Sequence, residues 1–303
     1  MGRRSRSGRV VNGILLLDKP PGLTSNAALQ AAKRVFQASK AGHTGSLDPI
    51  ATGLLPLCFG EATKVSSFFL NADKYYKSVF TLGAATDTGD SEGRILSTCA
   101  DVTISDEMIE SALDEFRGEI EQVPPMYSAV KFQGQPLYKL ARQGIEVERK
   151  PRQVTIYELS FMRRDEVSVE ISLHCSSGFY VRSLAHELGQ RLGCGAYVSS
   201  LRRTGVGQFS IDDAVSLQSL QQETDLQVMD SLLIAMDVGL QHLPGVRLSD
   251  DAAYYLCRGQ PVKAAHVPSN GWVRLYADEV GFLGVGKVLD DGRVAPKRLF
   301  NTT

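Results

Sequence analysis

Apolar and polar positions alternate along this chain with a period that changes from block to block. The run Ile14-Leu15-Leu16-Leu17, closed by Asp18 and a Pro20-Pro21-Gly22 turn, predicts a short buried strand over 13–18. Ser25 then stands as the cap of a helix over about 26–38, with Ala28, Ala31, Ala32 and Val35 at helical spacing. A glycine-rich loop over 42–53 leads into the apolar run 54–59. Over 74–83 the pattern is that of a strand. Its even positions Tyr76, Phe80 and Leu82 form the more apolar face, while Tyr75 and Lys77 fall on the other.

The polar stretch 86–93 reads as a loop, and Ser105 opens an acidic helix with Met108, Ile109, Ala112, Leu113 and Phe116 on one side. Strands are predicted at about 127–133, 152–163 and 166–176. Residues 180–192 form an amphipathic helix with Val181, Leu184, Ala185, Leu188 and Leu192 in one stripe. A mostly helical acidic section follows Phe209, and Leu243-Pro244-Gly245 marks a boundary. Beyond it lie a short helix (250–257) and glycine-punctuated strands at 272–276, 280–288 and 293–296. Strands and helices mix without regular βαβ alternation, so the fold class is α+β.

With 303 residues, 43% of them hydrophobic and 22% charged, the chain has ordinary globular usage and enough length for a real core. The apolar segment behind Arg3, Arg4, Arg6 and Arg9 is stopped by Asp18 and Lys19, which excludes an export signal and leaves a cytoplasmic protein as the expectation. The five cysteines are scattered and contain no Cys-x-x-Cys pair, so neither a zinc site nor a disulfide framework is indicated. The near-neutral net charge of −1 is a cancellation. Residues 1–86 hold 11 basic and 4 acidic side chains, and residues 87–121 hold 2 and 11. Residues 131–152 set six basic groups against Glu146 and Glu148. Local fields of that kind attract a polyanion that the overall charge would not.

Several chemistries lack their parts. Gly281-Phe282-Leu283-Gly284-Val285-Gly286-Lys287 resembles a phosphate-binding loop, but Val288 replaces the hydroxyl and a turn replaces the helix. His-x-x-x-His is absent. Two features point elsewhere. In Gly42-His43-Thr44-Gly45-Ser46-Leu47-Asp48-Pro49-Ile50-Ala51-Thr52-Gly53, Pro49 holds Asp48 extended, which projects one carboxylate from a stiff loop. Arg182 lies in the first turn of its helix, where the dipole disfavours a cation by about 0.3–1 kcal/mol, and it is off the apolar stripe. A partner carboxylate would offset that cost, with Asp48 the candidate; a solvated arginine is the alternative.

The 42–53 loop, with Leu15-Leu16-Leu17-Asp18-Lys19-Pro20 upstream, resembles the TruB family of tRNA pseudouridine-55 synthases. Lys74-Tyr75-Tyr76-Lys77, Ala85-Thr86-Asp87-Thr88-Gly89-Asp90 and Pro125-Met126-Tyr127-Ser128-Ala129-Val130-Lys131 fit the same family. So do Gly178-Phe179-Tyr180-Val181-Arg182-Ser183-Leu184 and Ser200-Leu201-Arg202-Arg203, all in order from about residue 12 to 210. Ser46 and Ile50 stand where the family commonly has alanine and leucine.

The resemblance implies a pseudouridine synthase catalytic fold, a mixed, mostly antiparallel sheet flanked by helices, over 12–242, with a basic RNA-clasping insertion at 131–152. A small β-rich PUA-like RNA-binding domain over 243–303 and a flexible basic N-terminus over 1–11 complete the expectation. The implied reaction detaches a T-loop uridine at N1, rotates it and reattaches it through C5, with tRNA as partner and no cofactor or metal. Asp48 matches the catalytic aspartate at the ribose, attacking C1′ or acting as a base at C2′, and Arg182 matches its paired arginine. Tyr76 matches the tyrosine that stacks on the target base and relays the C5 proton; Tyr180 and Leu201 match residues lining the uracil pocket. His43 matches the histidine that wedges into the T loop, and Lys19, Lys64 and the N-terminal arginines are candidate phosphate contacts. A monomer is expected. The rivals are a tRNA-folding chaperone, compatible with catalysis, and a small-molecule glycosidase, which would need a second acid beside Asp48 that the matched motifs do not assign.

Overall fold

The structure, a computed structural model, describes residues 8–301. Arg3, Arg4 and Arg6 lie outside the described residues. Arg9, expected to be part of a flexible start, is instead held down: its guanidinium forks onto Asp230 through two 2.7 Å bonds, and its Nε donates to the Phe36 carbonyl.

Strand β1 (Gly13–Lys19) is followed by helix α1 (Ser25–Val35), β2 (Ala41–His43), β3 (Thr52–Phe59) and β4 (Lys74–Leu82). Next come α2 (Asp106–Asp114), β5 (Gly118–Gln122), β6 (Arg152–Arg163) and β7 (Ser168–Cys175). Helix α3 (Val181–Arg191), β8 (Ala196–Val206) and the two-residue β9 (Val215–Ser216) complete the main body. Its sheet runs in the order β9-β1-β3-β8-β4-β7-β6-β5, with β2 paired to β3. Only the β1–β9 and β3–β8 contacts are parallel. The mostly antiparallel α+β architecture is therefore as expected.

Alternation explains the layers. Leu15, Leu17, Leu55 and Leu57 pack into the large core beneath α1, α2 and α3, whereas Ile14, Leu16, Leu54 and Cys58 pack on the opposite face. That second core includes Val285 and Phe300 from the C-terminal segment. There, β10 (Gly245–Leu248), α4 (Asp250–Cys257), β11 (Trp272–Ala277), β12 (Gly281–Val288) and β13 (Val294–Leu299) form a separate four-stranded sheet with its own core. The phosphate-loop look-alike is simply β12.

Several expectations shift. Thr24, not Ser25, caps α1 by accepting from the Ala27 amide; Ser25 is buried and spends its hydroxyl elsewhere. The helix ends at Val35, just before Gln37 in the left-handed region. Met108 of α2 is exposed. The predicted 127–133 strand shrinks to the bridge Lys131–Phe132, and β5 and β10 were not predicted. Among the described residues no helix is long and apolar enough to cross a membrane.

Candidate active site beneath the 42–53 loop

The loop bearing Asp48 is pinned from three sides. Thr44 donates both its amide and its hydroxyl to the Pro56 carbonyl. The buried Ser25 hydroxyl accepts from the Leu47 amide at 2.7 Å and donates back to the Leu47 carbonyl. On the far side of Asp48, the Pro49 carbonyl accepts from the Gly22 amide and from the Lys19 ammonium, which also holds the carbonyls of Pro20 and Leu23. Gly53 closes the loop at φ 101°, where a Cβ would stand 2.2 Å from the Arg203 carbonyl oxygen. No side chain fits there, so the loop seats directly on β8.

Lys19 is fully buried, which corrects its reading as a phosphate contact. Burial pushes its ammonium down to about 8, with the nearby Asp48 charge opposing the fall. Lys64 is likewise committed, to Glu61 and to the Leu299 carbonyl at 2.8 Å. Lys19→Met should strip the half-buried Pro20 and Leu23 carbonyls of their ammonium donor, leave Pro49 with the Gly22 amide alone, and cost about 1–3 kcal/mol of stability, read as a shifted denaturant midpoint.

Into this frame α3 delivers Arg182. Its Nε lies 3.0 Å from Asp48 Oδ2, and the guanidinium donates to the Thr88 carbonyl at 2.9 Å and the Tyr127 carbonyl at 2.7 Å. Asp90 Oδ2 stands 3.7 Å from Nη1. The Arg182 side chain is 6% exposed, whereas that of Asp48 keeps 38%, so the carboxylate is the open member of the pair. Desolvation in the recess raises the Asp48 carboxyl above its ordinary value, and Arg182 opposes but does not cancel that rise.

Of the remaining sequence-predicted residues, Tyr76 and Tyr180 lie close enough to Asp48 to feel its charge, while Leu201 and His43 are placed by their strands. Tyr76 occupies the helix-facing side of β4, opposite Arg203 of β8 and Leu173 of β7. Burial raises its phenol, and Asp48 is near enough to add to that rise. Tyr180, the residue preceding α3, is fixed through its main chain: Gln122 accepts from its amide at 2.8 Å and donates to its carbonyl at 3.1 Å. Asp48 is felt at the Tyr180 phenol as well, which burial also raises. Leu201 is buried two residues from Arg203 on β8, next to Ser78 of β4. His43 ends β2, with its imidazole pushed down by burial and by the Arg203 charge, hence neutral near pH 7.

Asp90 and Gln122 were missed by the sequence reading. Asp90 is a second carboxylate near Asp48, but it is buried and accepts from the Thr88 hydroxyl at 2.6 Å and the Glu92 amide at 3.1 Å. It faces Arg182 rather than the recess. Among the described residues no group of three or more His, Cys, Asp or Glu side chains is arranged to hold a metal ion.

Comparison with known proteins bears on this arrangement. Residues 33–181 match the TruB family pseudouridylate synthase N-terminal domain. Residues 182–241 match the tRNA pseudouridylate synthase B C-terminal domain, and 244–300 the pseudouridine synthase II TruB C-terminal domain. The chain is 50% identical to the tRNA pseudouridine synthase B of Pseudomonas aeruginosa, over the whole of both chains. To that of Coxiella burnetii it is 51% identical over 96% of this chain and 95% of the other. The chain belongs to the TruB family. Among solved structures, a Cbf5-Nop10-Gar1 complex matches with a TM-score of 0.72 at 27% identity, covering 92% of this chain and 79% of that one. An H/ACA RNP bound to a substrate RNA matches at 0.71 and 22% identity, covering 99% and 92%, and shows the shared fold. In TruB terms, Asp48 lies in the N-terminal match while Arg182 opens the next one. Their contact is made only by folding.

Proposed function

We propose that this protein isomerises the T-loop uridine at position 55 of tRNA to pseudouridine, with Asp48 acting as an anion at the ribose. The coarser activity, conversion of uridine to pseudouridine in tRNA, is that of the relatives it matches along its whole length. The observation that carries the residue assignment is the 3.0 Å pair between a half-open carboxylate and a buried guanidinium.

The chemistry follows from that asymmetry. Cleaving N1–C1′ leaves positive character on the ribose, and a carboxylate serves there as nucleophile, as base at C2′ or as electrostatic stabiliser only while ionised. Arg182 maintains that state in a recess whose desolvation opposes it. Tyr76 offers an aromatic face to the everted base, with Tyr180 and Leu201 as walls and His43 as a neutral ring suited to stacking in the place a base has left. Unstacking costs a few kcal/mol, and phosphate contacts elsewhere offset it.

The 131–152 segment suits those contacts: Lys131, Lys139, Arg142, Lys150 and Arg152 are exposed there. Affinity for T-arm RNA should fall linearly on a double-logarithmic salt plot, and Lys139→Ala plus Arg142→Ala should flatten the slope by about 0.7–0.9 for each phosphate left without its cation. Filter binding across a salt series checks this.

Incubation with a T-arm transcript, followed by carbodiimide labelling and nucleoside mass analysis, tests the reading. Pseudouridine at position 55 with no free uracil is expected. Free uracil would instead mean glycosidic hydrolysis, and an unmodified transcript would remove the proposal.

A further inference from the structure

Arg203 is 1% exposed and the largest of the fully buried side chains. It sits on β8 directly across from Tyr76 of β4, so both side chains rise from the same face of the sheet. Its Nε donates to the Leu54 carbonyl at 2.8 Å, but Nη2 has no hydrogen-bond partner. No carboxylate among the described residues lies within ion-pairing distance of it. The fold thus holds a permanent cation out of water without a counter-charge, a costly arrangement that an arginine cannot relieve by losing its proton. Its main chain is held by the close seating of Gly53, where a Cβ would stand 2.2 Å from the Arg203 carbonyl oxygen.

We infer that Arg203 is the positioning residue for the Tyr76 phenol, a buried guanidinium whose open hydrogen-bonding capacity is completed by the phenolate oxygen during the reaction. This rests on the pseudouridine synthase reading of the site. The other charged groups nearby are already spent or act the other way. Lys74 holds the carbonyls of Phe69, Leu70 and Ala72, Lys19 holds those around Pro49, and His43 is neutral. Asp48 and Cys175 both disfavour a negative phenol, leaving Arg203 as the group that favours it.

Once C5 has bonded to C1′, C5 still carries its hydrogen. The phenolate takes that proton, the C–H electron pair re-forms C5=C6, and the displaced π pair settles on N1. N1 then takes from water the proton that the phenol had released to water, so the protein ends in its starting state. Arg203 touches neither reacting carbon; it sets how readily the oxygen is available.

The test uses the full chain labelled with 3-fluorotyrosine, whose phenol ionises at a lower pH than that of tyrosine, with Tyr76→Phe assigning the fluorine resonance. Arg203→Gln should move the Tyr76 titration up by about 1–3 pH units. It should also lower kcat at neutral pH by about 10²-fold with little change in KM. Arg203→Lys, which keeps the charge, should recover much of both. An unmoved Tyr76 titration in folded Arg203→Gln overturns the inference. Should that variant not fold, the unsubstituted chain decides: Arg203 side-chain nitrogen resonances must shift with the same midpoint as Tyr76, and resonances that stay still overturn it. Because the titration needs no substrate, its failure is separate from a failure to form pseudouridine.

Discussion

Asp48→Asn should abolish pseudouridine formation, by on the order of 10⁴-fold or more in kcat, while leaving T-arm affinity near that of the unsubstituted protein. The amide preserves the shape of a side chain held by Ser25, Lys19 and Gly22 through its neighbours, so the loop keeps its course. What vanishes is the charge. Stability should not fall, and the sign can be derived. The folded-state carboxyl is raised above its unfolded value because desolvation outweighs Arg182. The native state therefore binds this proton more tightly than the unfolded chain does, and stability drawn from this group declines as pH rises through the aspartate range. The variant lacks that decline, so the difference in melting temperature should shift in its favour between about pH 4 and pH 7. Arg182 keeps the Thr88 and Tyr127 carbonyls and Asp90, which prevents an isolated buried cation. Measured together, single-turnover rates and melting curves separate a catalytic carboxylate from a structural one: a structural Asp48 would lose stability and retain rate.

The same contrast explains what could be read from sequence. Tyr76 was assigned to the correct face because a strand with one packed side writes its alternation plainly, and Phe80 and Leu82 share that side. Arg182 was legible because a cation at a helix N-terminus, off the apolar stripe, calls for a counter-charge. Asp90 and Gln122 left no such mark. Each acts through a contact dozens of residues away, on Arg182 and on the Tyr180 main chain, and the local pattern around each is an ordinary acidic surface. The burial of Lys19 is not legible in sequence, which shows charge but not depth, and its three carbonyl partners are assembled by the fold. The 127–133 strand failed for a related reason. The Tyr127 carbonyl is consumed by Arg182 instead of a ladder, and the Ser128 and Val130 carbonyls accept from the Tyr138 and Leu137 amides. Strand β5 was overlooked because Gly118-Glu119-Ile120-Glu121-Gln122 offers a single apolar side chain, as an outermost strand can.

Substitution at Arg182 should divide charge from geometry. Arg182→Met removes the cation from a side chain that is 6% exposed and leaves the buried Asp90 carboxylate facing the space where it stood, with two carbonyls losing their donor. Breaking a buried pair in this way costs about 3–5 kcal/mol, so a large fall in the unfolding midpoint is expected. Its catalytic effect goes further. With the Arg182 charge gone, only the weaker pull of Lys19 opposes desolvation at Asp48, and its carboxyl rises higher still. Because the reaction needs the anion, the acid limb of the kcat profile should move up by about 1–3 pH units. Arg182→Lys separates the two losses. It restores a positive charge, so the acid limb should return towards that of the unsubstituted protein. Yet a single ammonium cannot reach Asp48, Thr88 and Tyr127 at once as the planar fork does. The carboxylate is then charged but loosely aimed, and kcat on the plateau should remain down by about 10²–10³-fold. A pH–rate series on T-arm RNA with both variants provides the comparison. If the lysine variant recovered the full plateau, aim would not matter at this site; if the methionine variant left the acid limb in place, Arg182 would not be what keeps Asp48 ionised.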